Sequence, residues 1–132
     1  MKIVVLAGGN STEREVSISS GKGVCSALRD RNHRAVLVDV YFGLESPEQI
    51  CFPETYDVEA AAAWMQEKSG LLDETMKTRR EFFGPHVLEI CQAADIVFLA
   101  LHGANGEDGK VQSVLDLMGV KYTGSGPLSS AM

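Results

Sequence analysis

Apolar residues along this chain form short continuous runs that alternate with segments of helical spacing. The runs at residues 3–7, 35–40 and 96–101 are rich in β-branched side chains, which is typical of strands buried on both faces. A shorter run at residues 120–123 predicts a fourth strand. Because helical segments separate the runs, we expect an α/β fold with a parallel sheet of about four strands flanked by helices.

The first helix is predicted to begin shortly after the first strand. Thr12 and Glu15 match a capping box, and Ser17 is an alternative N-cap. Helical spacing places one group of apolar positions on a single face: Val16, Val24, Ala27 and Leu28. Small residues would allow the helix to lie close to the sheet, and these are Ser19, Ser20, Gly21 and Gly23. One βαβ unit is therefore complete by residue 40.

The segment at about 41–84 is predicted to be a partly helical excursion from the sheet. Residues 41–56 are interpreted as a loop and residues 58–68 as a helix, whereas residues 71–83 fit either a further helix or a hairpin at the sheet edge. Pro85 suits the first turn of a short helix. A later helix, ended by Gly119, presents these positions on one face: Val111, Val114, Leu115 and Met118. Residues 129–132 resemble the start of another helix.

Three loops follow predicted strands and contain glycine together with polar or charged residues. They span residues 8–17, 102–109 and 124–127. In parallel α/β sheets, ligands bind beyond the carboxyl ends of the strands. We therefore expect these loops to form one candidate site.

Composition and charge narrow the class of protein. A length of 132 residues suits one domain, and 45% hydrophobic residues fit a globular chain. A net charge of −6 argues against a nucleic-acid partner. No apolar run approaches the roughly 20 residues of a membrane span, and none suits a signal peptide. Cysteines 25, 51 and 91 show no CxxC spacing, which favours reduced thiols and a cytoplasmic location without membrane association.

The candidate chemistry of the loops does not indicate phosphate binding. The first loop lacks the last glycine of a G-x-G-x-x-G fingerprint, and Glu13 would repel a pyrophosphate. A carboxylate beside a helix start suits an ammonium group, although Glu13 and Glu15 also fit simple compensation of the helix dipole. His102 is a candidate donor to an anion or else a structural histidine, and Glu107 is most simply a first-turn helix residue. No metal site is predicted.

Three segments resemble the amino-terminal domain of D-alanine–D-alanine ligases. They are LAGGNSTEREVS at residues 6–17, ALHGANGEDGKVQ at 100–112 and MGVKYTGSG at 118–126, with Ser130 and Ala131 after them. Their order and separation match that family, whereas residues 41–90 match only loosely. The resemblance covers both ends of the chain.

The resemblance implies a Rossmann-like pre-ATP-grasp domain, spanning residues 1–132, of a three-domain ligase of peptidoglycan synthesis. In that family, ATP phosphorylates the carboxylate of one D-alanine and the amine of a second D-alanine attacks the acyl phosphate. ATP and magnesium are expected to bind outside this chain, whose partners would be D-alanine, the rest of the ligase and a second copy in a homodimer. The sequence is expected to be a piece of a longer ligase that is inactive by itself.

The resemblance also implies roles for single residues. Glu13 matches the glutamate that holds the ammonium of the first D-alanine, and Val16 and Ser17 match the wall of that subsite. His102 matches the histidine associated with the carboxylate of the same substrate. Glu13 and His102 are thus the expected catalytic residues, and Glu107 is a candidate partner for a basic residue of the closing loop.

Other functions remain open from the sequence. Ligases that make D-alanyl-D-lactate or D-alanyl-D-serine share these loops, and a non-catalytic α/β dimerisation module fits the fold. A generic nucleotide-binding domain is disfavoured because the chain has no phosphate loop.

Overall fold

A parallel sheet organises the part of the chain described by the computed structural model, which is residues 1–10, 12–79, 81–101 and 107–124. Within these residues the strands are β1 (Lys2–Ala7), β2 (Arg34–Asp39), β3 (Ile96–Leu99) and β4 (Tyr122–Gly124). They lie in the order β2-β1-β3-β4, and every pairing is parallel. The predicted parallel α/β sheet of about four strands is confirmed.

Five α-helices occur in the same residues: α1 (Arg14–Asp30), α2 (Val58–Ser69), α3 (Leu72–Thr78), α4 (Val87–Ala93) and α5 (Glu107–Leu117). None of the helices in the described ranges is long and apolar enough to cross a membrane. The prediction of a helix start at residues 129–132 lies outside the described residues.

The core lies on both faces of the sheet because alternate residues of each strand point to opposite sides. On one face Ile3, Val5 and Ala7 of β1 pack with buried residues of α1 and α2. On the other face Val4 and Leu6 pack with buried residues of α4 and α5. Continuous apolar runs are therefore needed in the central strands, as the sequence pattern predicts.

Two strand boundaries differ by two residues from those predicted, and the others differ by at most one. β3 ends at Leu99, two residues early, although Ala100 and Leu101 stay buried and the Ala100 amide still donates to the Leu6 carbonyl at 2.8 Å. β4 begins at Tyr122 because the Val120 amide is used to close α5, donating to the Leu115 carbonyl at 2.9 Å. The predicted helix end at Gly119 is confirmed, and its φ of +72° is the left-handed conformation common after helices.

The predicted cap of α1 is wrong, and its predicted buried face is only partly right. Its N-cap is Glu13, without a side-chain cap bond among the described residues, and Ser17 lies inside the helix. Val16 is 52% exposed, and Ala27 is also exposed. The buried positions are Arg14, Ser17, Ile18, Gly21 and Cys25. Val24 and Leu28 pack partly buried against the core as predicted, whereas polar and small residues take the fully buried positions closest to the sheet.

The small-residue prediction holds for Gly21 and fails for Gly23. A Cβ atom at Gly21 would lie 2.7 Å from Ala7 Cβ and 2.9 Å from Leu37 Cδ1, so only glycine allows this approach of α1 to the sheet. A Cβ atom at Gly23 would meet no atom within 4 Å.

The excursion at about 41–84 is partly helical, as predicted. The loop over residues 41–56 contains one short 3-10 helix, Pro47–Gln49, and α2 follows as expected. The open choice at residues 71–83 is resolved in favour of a helix, α3. Gly43 and Gly84 cross so closely that a Cβ on Gly84 would lie 2.4 Å from the Gly43 nitrogen. α4 begins at Val87 after a left-handed His86, so Pro85 precedes the helix instead of occupying its first turn.

Candidate functional site

The carboxyl ends of β1 and β3 are joined through one buried hydroxyl group on α1. Ser17 Oγ accepts a hydrogen bond from the Gly8 amide at 2.9 Å and donates to the Ala100 carbonyl at 2.6 Å. The Ser17 side chain is completely buried. The loop after β1 and the chain leaving β3 are therefore both fastened to the first turns of α1, at the edge where the sequence predicts a site.

The loop after β1 depends on two glycines in the left-handed region. Gly8 has a φ of +81° and Gly9 a φ of +90°. A Cβ atom on Gly8 would lie 2.8 Å from Asp39 Oδ1 and 3.0 Å from Arg14 Nη1. The loop thus lies directly against a buried pair of charged side chains, and a larger residue would displace it.

This pair, Arg14 with Asp39, was not singled out from the sequence. Arg14 Nη2 donates to Asp39 Oδ2 at 2.6 Å, and Nη1 donates to Oδ1 at 3.2 Å. Asp39 Oδ1 also accepts from the amides of Tyr41 and Phe42 at 2.9 and 3.2 Å. The available signal was positional: Asp39 ends the second strand and Arg14 starts the first helix, so a parallel βαβ unit brings them to the same edge.

The other donors of Arg14 are used as well. Nη1 donates to the Gly9 carbonyl at 2.8 Å, Nη2 to the Met65 carbonyl at 2.7 Å and Nε to Ser69 Oγ at 2.7 Å. The five N–H groups of the guanidinium group thus have five acceptors. Through them one side chain connects the loop after β1, the end of β2 and the last turns of α2 to the first residue of α1.

Glu13 and Val16 share the solvent-exposed face of the same helical start. They are three residues apart, which makes them neighbours on a helix surface, and both are exposed. The Glu13 carbonyl accepts the Ser17 amide at 2.9 Å, so its backbone belongs to the first turn. Ser17, in contrast, is completely buried against the ends of β1 and β3. The structure therefore brings together Glu13 and Val16 at the surface, while Ser17 fastens the backbone beneath them.

The structure describes only some of the remaining predicted site residues. His102 lies outside the described residues, and the chain leaves β3 toward it through Ala100 and the buried Leu101. Glu107 is the first residue of α5, the position that the sequence favours for it. The turn predicted at residues 124–127 is described only at Gly124, the last residue of β4.

The described residues contain no cluster of side chains suited to a metal ion. Among them, no group of three or more histidine, cysteine or acidic side chains is arranged to hold a metal. Asp39, an acidic side chain beside Gly8, is already bound by Arg14. The magnesium and ATP that the resemblance implies are accordingly assigned no residue here.

All three cysteines are free thiols. Burial raises the pKa of Cys25 and of Cys91 to about 12, and the nearby Arg29 guanidinium partly opposes the increase at Cys25. Cys51 is exposed in the loop before α2. The two buried cysteines therefore behave as packing residues rather than as nucleophiles.

Comparisons with known proteins agree on one family. The family model described as "D-ala D-ala ligase N-terminus" matches residues 2–125. A D-alanine–D-alanine ligase of Lacticaseibacillus casei (strain BL23) is 48% identical over 137 residues, which cover 100% of this chain and 38% of the relative. A ligase of the same name from Pediococcus pentosaceus is 45% identical over 141 residues, covering 100% of this chain and 39% of its own length.

A solved structure gives the same picture. The D-alanine-D-alanine ligase from Coxiella burnetii is similar with a TM-score of 0.53 and 25% identity, over 92% of this chain and 34% of that one. The present chain thus spans little more than a third of the length of the ligases that it resembles.

Proposed function

The chain belongs to the family of D-alanine–D-alanine ligase amino-terminal domains, and from that premise we propose that it holds the first D-alanine for an ATP-dependent ligase joining two D-alanines in peptidoglycan synthesis. The carboxylate of Glu13 receives the substrate ammonium group, and Val16 forms the adjacent wall. His102 acts at the substrate carboxylate, and Glu107 contacts a closing loop of the ligase. Ser17 contributes by fastening the backbone below Glu13.

One observation carries the proposal: an exposed Glu13 begins a helix whose first turn is fixed to the ends of two strands. The Ser17 hydroxyl bonds both Gly8 and Ala100, at 2.9 and 2.6 Å. A receptor for a small zwitterion gains affinity when its charged group is already oriented, because less freedom is lost on binding. The fixed first turn supplies that orientation.

The chemistry suits an amino acid rather than a phosphate. A carboxylate and an ammonium group form a short, charge-assisted hydrogen bond of about 2.7–2.9 Å. The methyl-bearing Val16 next to Glu13 is compatible with the small side chain of alanine. An imidazole at His102 would donate to negative charge that develops on the substrate carboxylate during acyl transfer.

The remaining parts of the proposal concern the full-length protein that carries this chain. ATP and magnesium are proposed to act on parts of the ligase outside residues 1–132. The protein is proposed to be cytoplasmic and homodimeric, without nucleic-acid or membrane partners, and residues 1–132 alone are proposed to be inactive. D-lactate and D-serine as competing second substrates distinguish the related ligases by their products.

The test is steady-state kinetics of the full-length protein and its Glu13→Gln variant. The wild type is expected to release phosphate from ATP when D-alanine is supplied, and not with L-alanine. Loss of one charge-assisted bond costs about 1.5–3 kcal/mol, so the Michaelis constant for the first D-alanine should rise about ten- to hundredfold. The Michaelis constant for ATP should stay within about twofold.

Glu59→Gln is the control because Glu59 is also an exposed glutamate at the start of a helix, α2, where it forms an ion pair with Lys22 at 2.7 Å. Both substitutions remove a charge that favours the helix dipole, but only Glu13 lies at the carboxyl edge of the sheet. The proposal fails if Glu13→Gln leaves the first D-alanine constant unchanged, or if Glu59→Gln raises it equally.

A further inference from the structure

The geometry points to Arg14 as a positioning residue for Glu13, acting with the buried Asp39 and the half-buried Ser69 as a clamp that sets the affinity of the first D-alanine subsite. This inference rests on the proposed function, since it assigns the clamp to the same subsite. These three side chains form the Arg14 clamp. None of them faces the site itself; they act through the backbone that carries Glu13.

The clamp holds the start of α1 from three directions. Arg14 is 3% exposed and is the residue directly after Glu13. It bonds the Gly9 carbonyl before the helix, both oxygens of Asp39 at the end of β2, and Met65 and Ser69 at the end of α2. Rotation or sliding of the first turn would break several of these bonds together.

Ser69 links two consecutive residues of that turn. Its hydroxyl accepts from Arg14 Nε at 2.7 Å and donates to Glu15 Oε2, also at 2.7 Å. Glu13 is therefore followed by two residues whose side chains are bound to one point on α2. The backbone of Glu13 is held to this turn by its peptide bond to Arg14 and by its carbonyl, which accepts the Ser17 amide at 2.9 Å.

Stability alone gives a weak reason for such a pair. Burying an arginine and an aspartate costs desolvation that often equals or exceeds their attraction, and well-packed apolar residues commonly replace such pairs without loss. What apolar residues cannot provide is a directional connection to four separate acceptor groups. The planar fork of arginine does provide it, and lysine does not. The clamp is therefore suited to orienting the turn.

The same helix offers a matched control at its other end. Arg29 also uses its guanidinium group to hold backbone, donating to the carbonyls of Ala35, Pro53 and Glu54 at 2.7, 2.8 and 2.9 Å. Its Cζ lies 5.0 Å from the centre of the Tyr56 ring, and Arg14 Cζ lies at the same distance from the Phe42 ring. Arg29, however, fastens the loop before α2, and in the part of the chain that the structure describes it has no bond to the strand ends of the site.

The experiment compares Arg14→Lys and Arg29→Lys in the full-length protein. Both variants retain the positive charge and lose the guanidinium fork, so both are expected to lower the urea midpoint of unfolding. Only Arg14→Lys should raise the Michaelis constant of the first D-alanine, by about tenfold or more. The constants for the second D-alanine and for ATP should stay within about twofold in both variants.

Asp39→Asn and the double variant test whether the clamp acts as one unit. Asp39→Asn should raise the same constant, and the double variant should raise it by less than the product of the two single effects, because the residues share their bonds. If Arg14→Lys does not fold, Ser69→Ala carries the test, since it removes only one acceptor of Arg14 together with the donor to Glu15; an increase of about threefold is expected.

Three results would overturn the inference: an unchanged first D-alanine constant in the folded clamp variants, an equal rise in all three constants, or the same rise in Arg29→Lys. Failure of the inference is distinguishable from failure of the proposed function by including Glu13→Gln. If Glu13→Gln raises the constant and the clamp variants do not, only the positioning role is wrong. If Glu13→Gln has no effect, the assignment of the subsite itself is wrong.

Discussion

Neighbouring residues at the start of α1 have opposite environments. Arg14 is buried among five acceptors, whereas Glu13 and Val16 face solvent on the adjacent surface. The side chains that hold the backbone are thus separated from those proposed to meet the substrate. A single turn of helix can then combine a rigid base with an accessible charge, which is what a small preformed binding site needs.

The cysteines provide a test of burial at the scale of single residues. Cys51 is exposed, whereas Cys25 and Cys91 are buried and their pKa values are raised to about 12. Under native conditions at pH 8, a chromogenic disulfide reagent should modify only Cys51 among the thiols of residues 1–132, since thiolate and access are both required. All three should react in denaturant. Rapid native modification of Cys25 or Cys91 would contradict the described core.

Sequence patterns identified Glu13 but not the residues that hold it. The E-R-E-V-S motif resembles one family closely enough to suggest a role for Glu13 and Val16, whose roles remain to be tested. The bond between Arg14 and Asp39 joins positions 25 residues apart and depends on how a strand, a loop and a helix pack. Local sequence preferences do not describe contacts between residues this far apart in the chain, so the pair was not predicted.

At the scale of elements, the packing of α1 on the sheet depends on the absence of a side chain. Gly21 lies against Ala7 of β1 and Leu37 of β2. The predicted face of this helix was only partly right, because the prediction followed the spacing of large apolar residues, whereas the closest packing uses glycine and serine. The strands were predicted well because burial on both faces leaves a continuous apolar run that few other structures produce.

Substitution of two glycines in α1 tests this packing. Gly21→Ala should destabilise the protein by about 1–3 kcal/mol because the new methyl group would overlap two side chains of the sheet. Gly23→Ala should stabilise it by about 0.5–1 kcal/mol because its methyl group meets open space and alanine favours the helix. Urea unfolding of both variants measures the difference. A neutral or stabilising Gly21→Ala would show that α1 does not lie this close to β1.

At the scale of the whole molecule, two cores on opposite faces of one sheet depend on neutral buried groups. Cys25 and Tyr56 belong to the core formed by α1 and α2, and Cys91 belongs to the core on the other face. Burial raises the pKa of each of these groups to about 12, from ordinary values of 9.0 for the thiols and 10.0 for the tyrosine. Ionisation of these side chains is therefore unfavourable in the cores on both faces of the sheet.

This burial predicts a loss of stability in alkaline solution. Above pH 9 the unfolded state loses thiol protons that the native state retains, so the free energy of unfolding falls as the pH rises from about 9 toward 12. Each thiol contributes up to about 1.4 kcal/mol per pH unit in that window. The free energy of unfolding can be measured with urea at several pH values between 7 and 10.5. Its slope against pH should be smaller for Cys25→Ala than for the wild type. Cys51→Ala, at an exposed site, should leave the slope unchanged; equal slopes in all three proteins would contradict the account.

The most direct test of the central claim is a crystal structure of the full-length protein with D-alanine bound. The account predicts that the ammonium nitrogen of the first D-alanine lies within about 3.2 Å of a Glu13 carboxylate oxygen. It also predicts that the Arg14 clamp stays intact beneath this residue and that Val16 lies beside the substrate methyl group. An ammonium group bound by other residues, with Glu13 directed away from it, would contradict the account.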